Sequence, residues 1–515
     1  MKSRKWLIAI IMSLTLSSCT FPFGPSGTPE DNSSSGDSNS VTSDTFSSSS
    51  SSPSSSDSTI EGWDNYYLPE TVDPLFNYQD LQVASGINSI PTPRTDLNIL
   101  VIPMELTDYP FSSITLTRLE TLFNGSAAST DYWESVSSFY EKTSYGNIDM
   151  NFTIAPKYNT GYTAAQAAQL DVTDTQYFTT NLLRDAVANY KTANGSTSTQ
   201  QFDSDDNGYI DAVWMIYSCP NYSNSSSIAN ISKDYWAYVF WDYNQSSSTS
   251  SPNALNYAWA SFDFMYEGGG TSKVDGHTYI HETGHLLGLD DYYNYDDDST
   301  YKPTGGIDMM DYNVTDHNVW SKMAMGWTKP YVVTGNAEIT INPAESSGDA
   351  ILIADSWNGT SFDEFLMLEL YTPTGLNALD SQTAYNGSYP RGYTIPGVRL
   401  YHVDSRLQRY SVYSEPMISS VYGYSLAHSN TPSYSKDPDY RLIHMIQATG
   451  TNTFDTGGFA SNADLFTTGE TFSMEDFGLE FFKNGSLLNN GSELGYTIEF
   501  ISVTSSSARI RITAI

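Results

Sequence analysis

Cysteine is nearly missing from this chain. Cys19 and Cys219 are the only two in 515 residues, so no disulfide framework holds the fold together. Basic residues are scarce as well: 23 Lys and Arg face 59 Asp and Glu, a formal charge of −36. Such a surface has no cationic face to displace counterions, which argues against nucleic acid as a partner. It favours solubility and attracts divalent cations. The apolar run at 6–16 is too short to cross a bilayer.

Histidine is also rare, with seven residues in the chain, and this makes one stretch stand out. His281-Glu282-Thr283-Gly284-His285 puts two histidines four positions apart, on one face of a helix. Two imidazoles and an adjacent carboxylate are half of a tetrahedral zinc site plus a base for its water. Gly288 is suited to end that helix in the left-handed conformation, letting the chain reverse and bring Asp291 back as a third ligand. Three protein ligands leave one position for water, the arrangement of a catalytic zinc. A surface helix with two incidental histidines is the bland alternative.

The stretch from His281 to Asp291 resembles the zinc signature of metzincin-type peptidases with an Asp ligand, and is most similar to the immune inhibitor A family. Family members usually carry Pro where this chain has Asp290, so Asp290 is an alternative ligand. Ser-Val…Phe-Tyr…Ser-Tyr-Gly at 135–146 and the helical segment 320–327 are similar to the family too. Gly305-Gly306-Ile-Asp308-Met309-Met310-Asp311-Tyr312 resembles its methionine turn. The resemblance implies that Met310 packs beneath the metal and that Tyr312 ligates zinc or supports the oxyanion. A core or rim tyrosine is the other reading of Tyr312.

A second chemical site lies at Asp203-Ser-Asp205-Asp206-Asn207-Gly208-Tyr209-Ile-Asp211. Oxygen ligands from Asp203, Asp205, Asn207, the Tyr209 carbonyl and Asp211, with Gly208 at the sharp turn, follow the calcium-loop pattern. Trp214 stands where the bidentate Glu would be, so the loop is not a full EF-hand. A polar turn before a buried strand is the alternative. The family commonly carries a similar loop. Cys219 reads as a small buried hydrophobe. The aromatic segment 230–257 is a candidate border for a substrate cleft, and the acidic run 296–298 reads equally as solvated loop or metal contact.

The organisation follows in order. Residues 1–19 read as a secretory signal whose Leu16-Ser-Ser-Cys19 end resembles the bacterial lipobox, so Cys19 is expected to carry lipid. Residues 20–60 are Ser-rich and unable to bury a core; as a tether they would reach roughly 35 Å. Residues 61–330 form the expected catalytic domain, with strands at 97–102, 148–154 and 212–217 and helices at 115–123, 135–146 and 181–190. At 331–515 alternation at 337–341, 350–353, 364–370, 398–403 and 508–515 predicts strands, with His402 and Asp404 structural. The fold class is therefore α+β, a metzincin-like α/β catalytic domain followed by an all-β sandwich-like domain.

The function expected is a zinc-dependent endopeptidase acting on proteins or peptides at the outer face of a bacterial cytoplasmic membrane. Zinc is the expected cofactor, with calcium as a second candidate ion. A thermolysin-like site with a Glu ligand is the rival within enzymes. From another class, the rival is a lipoprotein that binds surface glycans or matrix through its tyrosine-rich loops, with an inactive peptidase-like domain.

Overall fold

The computed structural model describes residues 62–515 apart from 73–88, 126–132, 171–176, 243, 268–272, 295–299, 386, 388, 409–424, 427–429 and 431–440. Cys19, the signal, the tether 20–60 and the acidic run 296–298 lie outside the described residues. The architecture is α+β. Its first part is built on a sheet ordered Ile148–Ile154, Arg94–Glu105, Val213–Tyr217, Asn256–Ser261 and Tyr238–Trp241. Neighbours run parallel except Tyr238–Trp241, which is antiparallel.

The nearly continuous apolar run near residue 100 has a direct cause. Successive side chains of a strand point to opposite faces, and here both faces are covered. Leu97, Ile99 and Val101 join a core shared with the helices Ser113–Asn124, Val136–Thr143 and His277–Leu287. Leu100, Ile102 and Met104 join a second core under Phe178–Asn194. The starts of the first two helices are set by serines: Ser112 accepts from Thr115 N–H, and Ser135 and Ser138 form a reciprocal capping pair.

Much of the aromatic segment 230–257 is buried. Tyr235, Tyr238, Phe240 and Tyr257 are buried in the second core, and the Tyr238 and Tyr257 hydroxyls meet Thr179 Oγ1 at 2.9 and 2.8 Å. Aromatic density marks packing there, with the Tyr238 and Tyr257 hydroxyls partnered on the covering helix and the Tyr235 hydroxyl donating to Ala164 O at 2.7 Å.

The C-terminal strands also differ from expectation. Four of the five expected strands match the alternation to within a residue and the fifth starts earlier, at Tyr331. All of them hydrogen-bond into one sheet where a sandwich has two, and only the short pair Leu407–Gln408 and Ser425–Leu426 stands apart among the described C-terminal strands. Its order is Ile443–Ile446, Gly397–Asp404, Glu364–Tyr371, Ile351–Ile353, Tyr331–Ile341, Ala508–Ala514, Tyr496–Val503 and Thr471–Ser473. The early strand Asp64–Tyr67 pairs with Tyr331–Ile341 and so belongs to this sheet, not to the first. Alternation reveals which face is buried; it says nothing about which strands share hydrogen bonds.

One face of this sheet packs with the helix Met474–Phe481 around Leu366, Leu368, Ile498 and Ile510. The other face contributes Leu352, Phe365, Met367, Tyr401 and Met445 to the same core that holds Tyr279, Ile280 and Met310. The core therefore runs across the 330/331 division, and the sheet and the His281 helix share it.

Candidate metal centre

The helix His277–Leu287 carries both histidines, and it ends at Gly288 with φ 110° in the left-handed region. Gly288 N–H closes onto Gly284 O at 3.1 Å and Leu289 N–H onto the same carbonyl at 2.9 Å. That reversal returns Asp291 to the histidine face. His281 Nε2 lies 2.8 Å from Asp291 Oδ1, His285 Nε2 lies 3.3 Å from it, and the two Nε2 atoms are 3.1 Å apart. Asp291 is fully buried and completes the group; half-buried Asp290 is not part of it.

These residues fit a zinc ion. Bonds of 2.0–2.1 Å in a tetrahedron put ligand atoms about 3.3 Å apart, close to the three separations seen. Each Nδ1 is held by a backbone carbonyl, His281 by Met309 O at 2.8 Å and His285 by Leu289 O at 2.7 Å. Nδ1–H donating to those carbonyls leaves both Nε2 lone pairs for the metal. Asp291 feels opposing effects: burial would raise its pKa, but His285 and His281 beside it hold it well below the usual carboxylate range. At His285 burial disfavours the proton, and Asp291 outweighs it, raising the pKa to about 10.

Glu282 is the third chemical element. Both its carboxylate oxygens are buried without a hydrogen-bond partner. Burial pushes its pKa up to about 7, against the pull of His285 and His281. A buried carboxylate in that state is costly unless a cation or a bound water meets it, so its fit is to a charged, hydrated centre.

Beneath the helix lies the Met310 turn, Met309–Tyr312. Asp308 caps it, accepting from Met310 N–H at 2.9 Å and from Asn318 N–H and Nδ2 at 3.0 and 2.8 Å. Asp311 accepts from Thr304 Oγ1 at 2.6 Å and Gly306 N–H at 3.0 Å. Burial raises these carboxyls to about 7 and about 6. Met310 meets the helix at Gly284, between the two ligand histidines. A Cβ on Gly284 would stand 2.7 Å from Met310 Sδ and 3.3 Å from the Tyr140 hydroxyl. Gly284→Ala is therefore expected to destabilise the fold by about 1–3 kcal/mol through overpacking, measured as a lower urea midpoint at unchanged m. Sequence reading passed over Gly284, whose only signal was its place inside the His-Glu-x-x-His motif.

Tyr312 sits higher on the same turn. Its ring packs edge-on to Tyr389 at 6.0 Å and Phe459 at 5.7 Å, and the Lys302 ammonium stands 5.9 Å from its centroid. Burial raises the pKa of its hydroxyl, so it is a proton donor at any working pH.

The acidic loop brings its three expected carboxylates together. Carboxylate oxygens of Asp203, Asp205 and Asp211 lie within 4.8 Å of one another. Asn207 Oδ1 accepts the Tyr209 N–H at 2.8 Å, and its Nδ2 donates to Asp205 Oδ2 at 2.9 Å. Tyr209 enters a short pairing with Asn253. Gly208 is needed at φ 88°, because a Cβ there would lie 2.7 Å from Ser248 N. Burial raises Asp203 and takes Asp211 up to about 7. Trp214, in place of a bidentate Glu, packs in the main core, with its Nε1 3.3 Å from Thr283 on the His281 helix.

The remaining expectations concern structure. Cys219 is buried and burial pushes its thiol pKa up, as for an inert core residue. His402 Nε2 meets Glu364 Oε1 at 2.9 Å, and Asp404 takes both arms of Arg406 at 2.7 Å. No family model matches the chain, and no curated protein matches it.

Proposed function

We propose that this chain is a zinc-dependent endopeptidase of the metzincin type, similar to the immune inhibitor A family, with a metzincin-like first part. The observation that carries this reading is the triangle of His281 Nε2, His285 Nε2 and Asp291 Oδ1 beside a buried Glu282 whose oxygens have no partner. His281, His285 and Asp291 would hold the zinc ion, which would supply an acidified water and a Lewis acid for the peptide carbonyl. Glu282 takes the proton of the attacking water and delivers it to the leaving amine. Tyr312 donates its hydroxyl proton in a hydrogen bond to the developing oxyanion. Met309 O and Leu289 O keep the imidazoles in the ligating tautomer throughout.

The test is casein hydrolysis with and without a chelator. Activity should vanish with chelation and return with one equivalent of zinc. Hydrolysis unaffected by metal removal would refute the reading.

Calcium at Asp203, Asp205 and Asp211 is proposed as a brace for the strand that follows, Val213–Tyr217. Calcium at a hundredfold excess over its Kd should add about 2.7 kcal/mol, read as a rise in Tm that Asp211→Asn abolishes. Lipidation at Cys19, followed by the Ser-rich tether, would hold the enzyme at the outer membrane face.

A further inference from the structure

The first residue of the His281 helix is itself a histidine, and nothing in the zinc mechanism uses it. His277 is fully buried, one helical turn before His281. Its Nδ1 meets Asp275 Oδ1 at 2.7 Å, and Asp275 Oδ1 also accepts the His277 backbone N–H at 3.0 Å, doing the work of a helix cap that Gly276 cannot do. Its Nε2 meets Asp380 Oδ1 and Oδ2 at 3.1 and 3.3 Å. The imidazole lies flat between two rings, Trp133 at 3.9 Å and 9° and Tyr385 at 4.1 Å and 23°.

These four partners come from two parts of the chain. Asp275 and Trp133 belong to the first part, whereas Asp380 and Tyr385 come from the segment that follows the C-terminal strand Glu364–Tyr371. That segment grips other pieces of the site. Asp380 Oδ2 accepts Thr315 N–H at 2.7 Å, just past the Met310 turn. Tyr385 donates to Glu267 Oε2 at 2.9 Å, and its hydroxyl lies 3.3 Å from Thr278 Oγ1 on the second residue of the helix. Burial disfavours a charge on His277, but Asp380 and Asp275 outweigh it and raise its pKa to about 9. The ring is thus fixed in plane by two stacked aromatics and along its axis by two carboxylates.

We infer that His277 is a positioning residue: Asp380 and Tyr385 of the C-terminal part clamp it against Asp275 and Trp133, and so set where the helix bearing His281, Glu282 and His285 begins. The C-terminal part is then a component of the metal site, not a module beside it. This inference rests on the zinc reading proposed above. A helix is stiff over one turn, so a shift at its first residue carries to His281. Shifts of about 1 Å at a reacting centre lower turnover by up to about 10²-fold, and loss of outer supports weakens metal binding by about 10–100-fold.

The experiment uses the full chain and three variants, Asp380→Ala, Asp380→Asn and Asn377→Ala. Asn377 anchors the same segment, accepting Asp316 N–H at 3.1 Å and donating to Thr372 O at 3.0 Å, but is not part of the His277 clamp. Zinc affinity is read by competition with a chromophoric chelator, folding by circular dichroism, and kcat and KM on a peptide substrate. The clamp requires about tenfold weaker zinc binding and about tenfold lower kcat at unchanged KM in Asp380→Ala. Asp380→Asn, which keeps an acceptor for Thr315, should show a smaller loss and stands in if the alanine variant does not fold. Asn377→Ala should lower Tm without changing zinc affinity. Wild-type zinc affinity in both Asp380 variants, or an equal loss in Asn377→Ala, overturns the clamp alone. A wild-type chain that binds no zinc overturns the peptidase reading and the clamp with it.

Discussion

Glu282→Ala should lower peptide hydrolysis by about 10²–10⁴-fold while the protein still folds and still binds zinc. The three ligand atoms belong to His281, His285 and Asp291, so removing the carboxylate of Glu282 leaves them in place. Folding should survive as well, because Glu282 makes no hydrogen bond that the fold depends on; both its oxygens are buried without partners. Removing an uncompensated buried carboxylate relieves desolvation, so the Tm of the variant should equal or exceed that of wild type. That combination of higher stability, intact metal binding and lost turnover separates a catalytic base from a structural acid. A variant that loses zinc along with activity would assign Glu282 to the ligand set instead.

The second large effect lies more than a hundred residues beyond the motif, in the C-terminal sheet. Arg399→Ala should destabilise the protein by about 3–5 kcal/mol, because it strands a buried carboxylate. Arg399 is 2 % exposed and Glu369 1 %, and they form an ion pair across adjacent C-terminal strands. Glu369 also accepts from Tyr401 at 3.2 Å and from Val319 N–H at 3.0 Å, at the start of the helix Val319–Ala324. Arg399 Nη1 donates to Ile307 O at 3.2 Å, directly before Asp308. The pair therefore ties the second sheet to the turn that carries Met309 O and Met310. Chemical denaturation should show the loss, and Arg399→Lys should recover only part of it, since a single ammonium cannot replace a planar fork. A change under 1 kcal/mol would mean that the sheet does not support the turn.

How far the sequence reached can be judged from particular residues. The His281 helix, its stop at Gly288 and the return of Asp291 were readable because they depend on contacts within eleven positions, where helical period and glycine conformation govern. The strand through residues 97–102 was readable because burial on both faces leaves an unbroken apolar run. Contacts of long range were not. Asp380 lies 103 residues from His277, and no local pattern distinguishes it from a surface acid. The same holds for Arg399 and Glu369, which look like strand-face charges until a second layer covers them. The joining of the C-terminal strands into one sheet, and the burial of Tyr238 and Tyr257, also depend on which elements meet. Asn207 fits the calcium spacing, and its Oδ1 also accepts the Tyr209 N–H, a local turn contact that spacing alone does not reveal.

The central claim is that one zinc ion sits among His281, His285 and Asp291, next to Glu282. The most direct measurement is a crystal structure with diffraction collected on both sides of the zinc absorption edge. The account requires a single anomalous peak within bonding distance, about 2.0–2.2 Å, of both Nε2 atoms and an Asp291 oxygen. An edge signal located elsewhere, or Asp291 turned away from the two imidazoles in the metal-loaded protein, would contradict it.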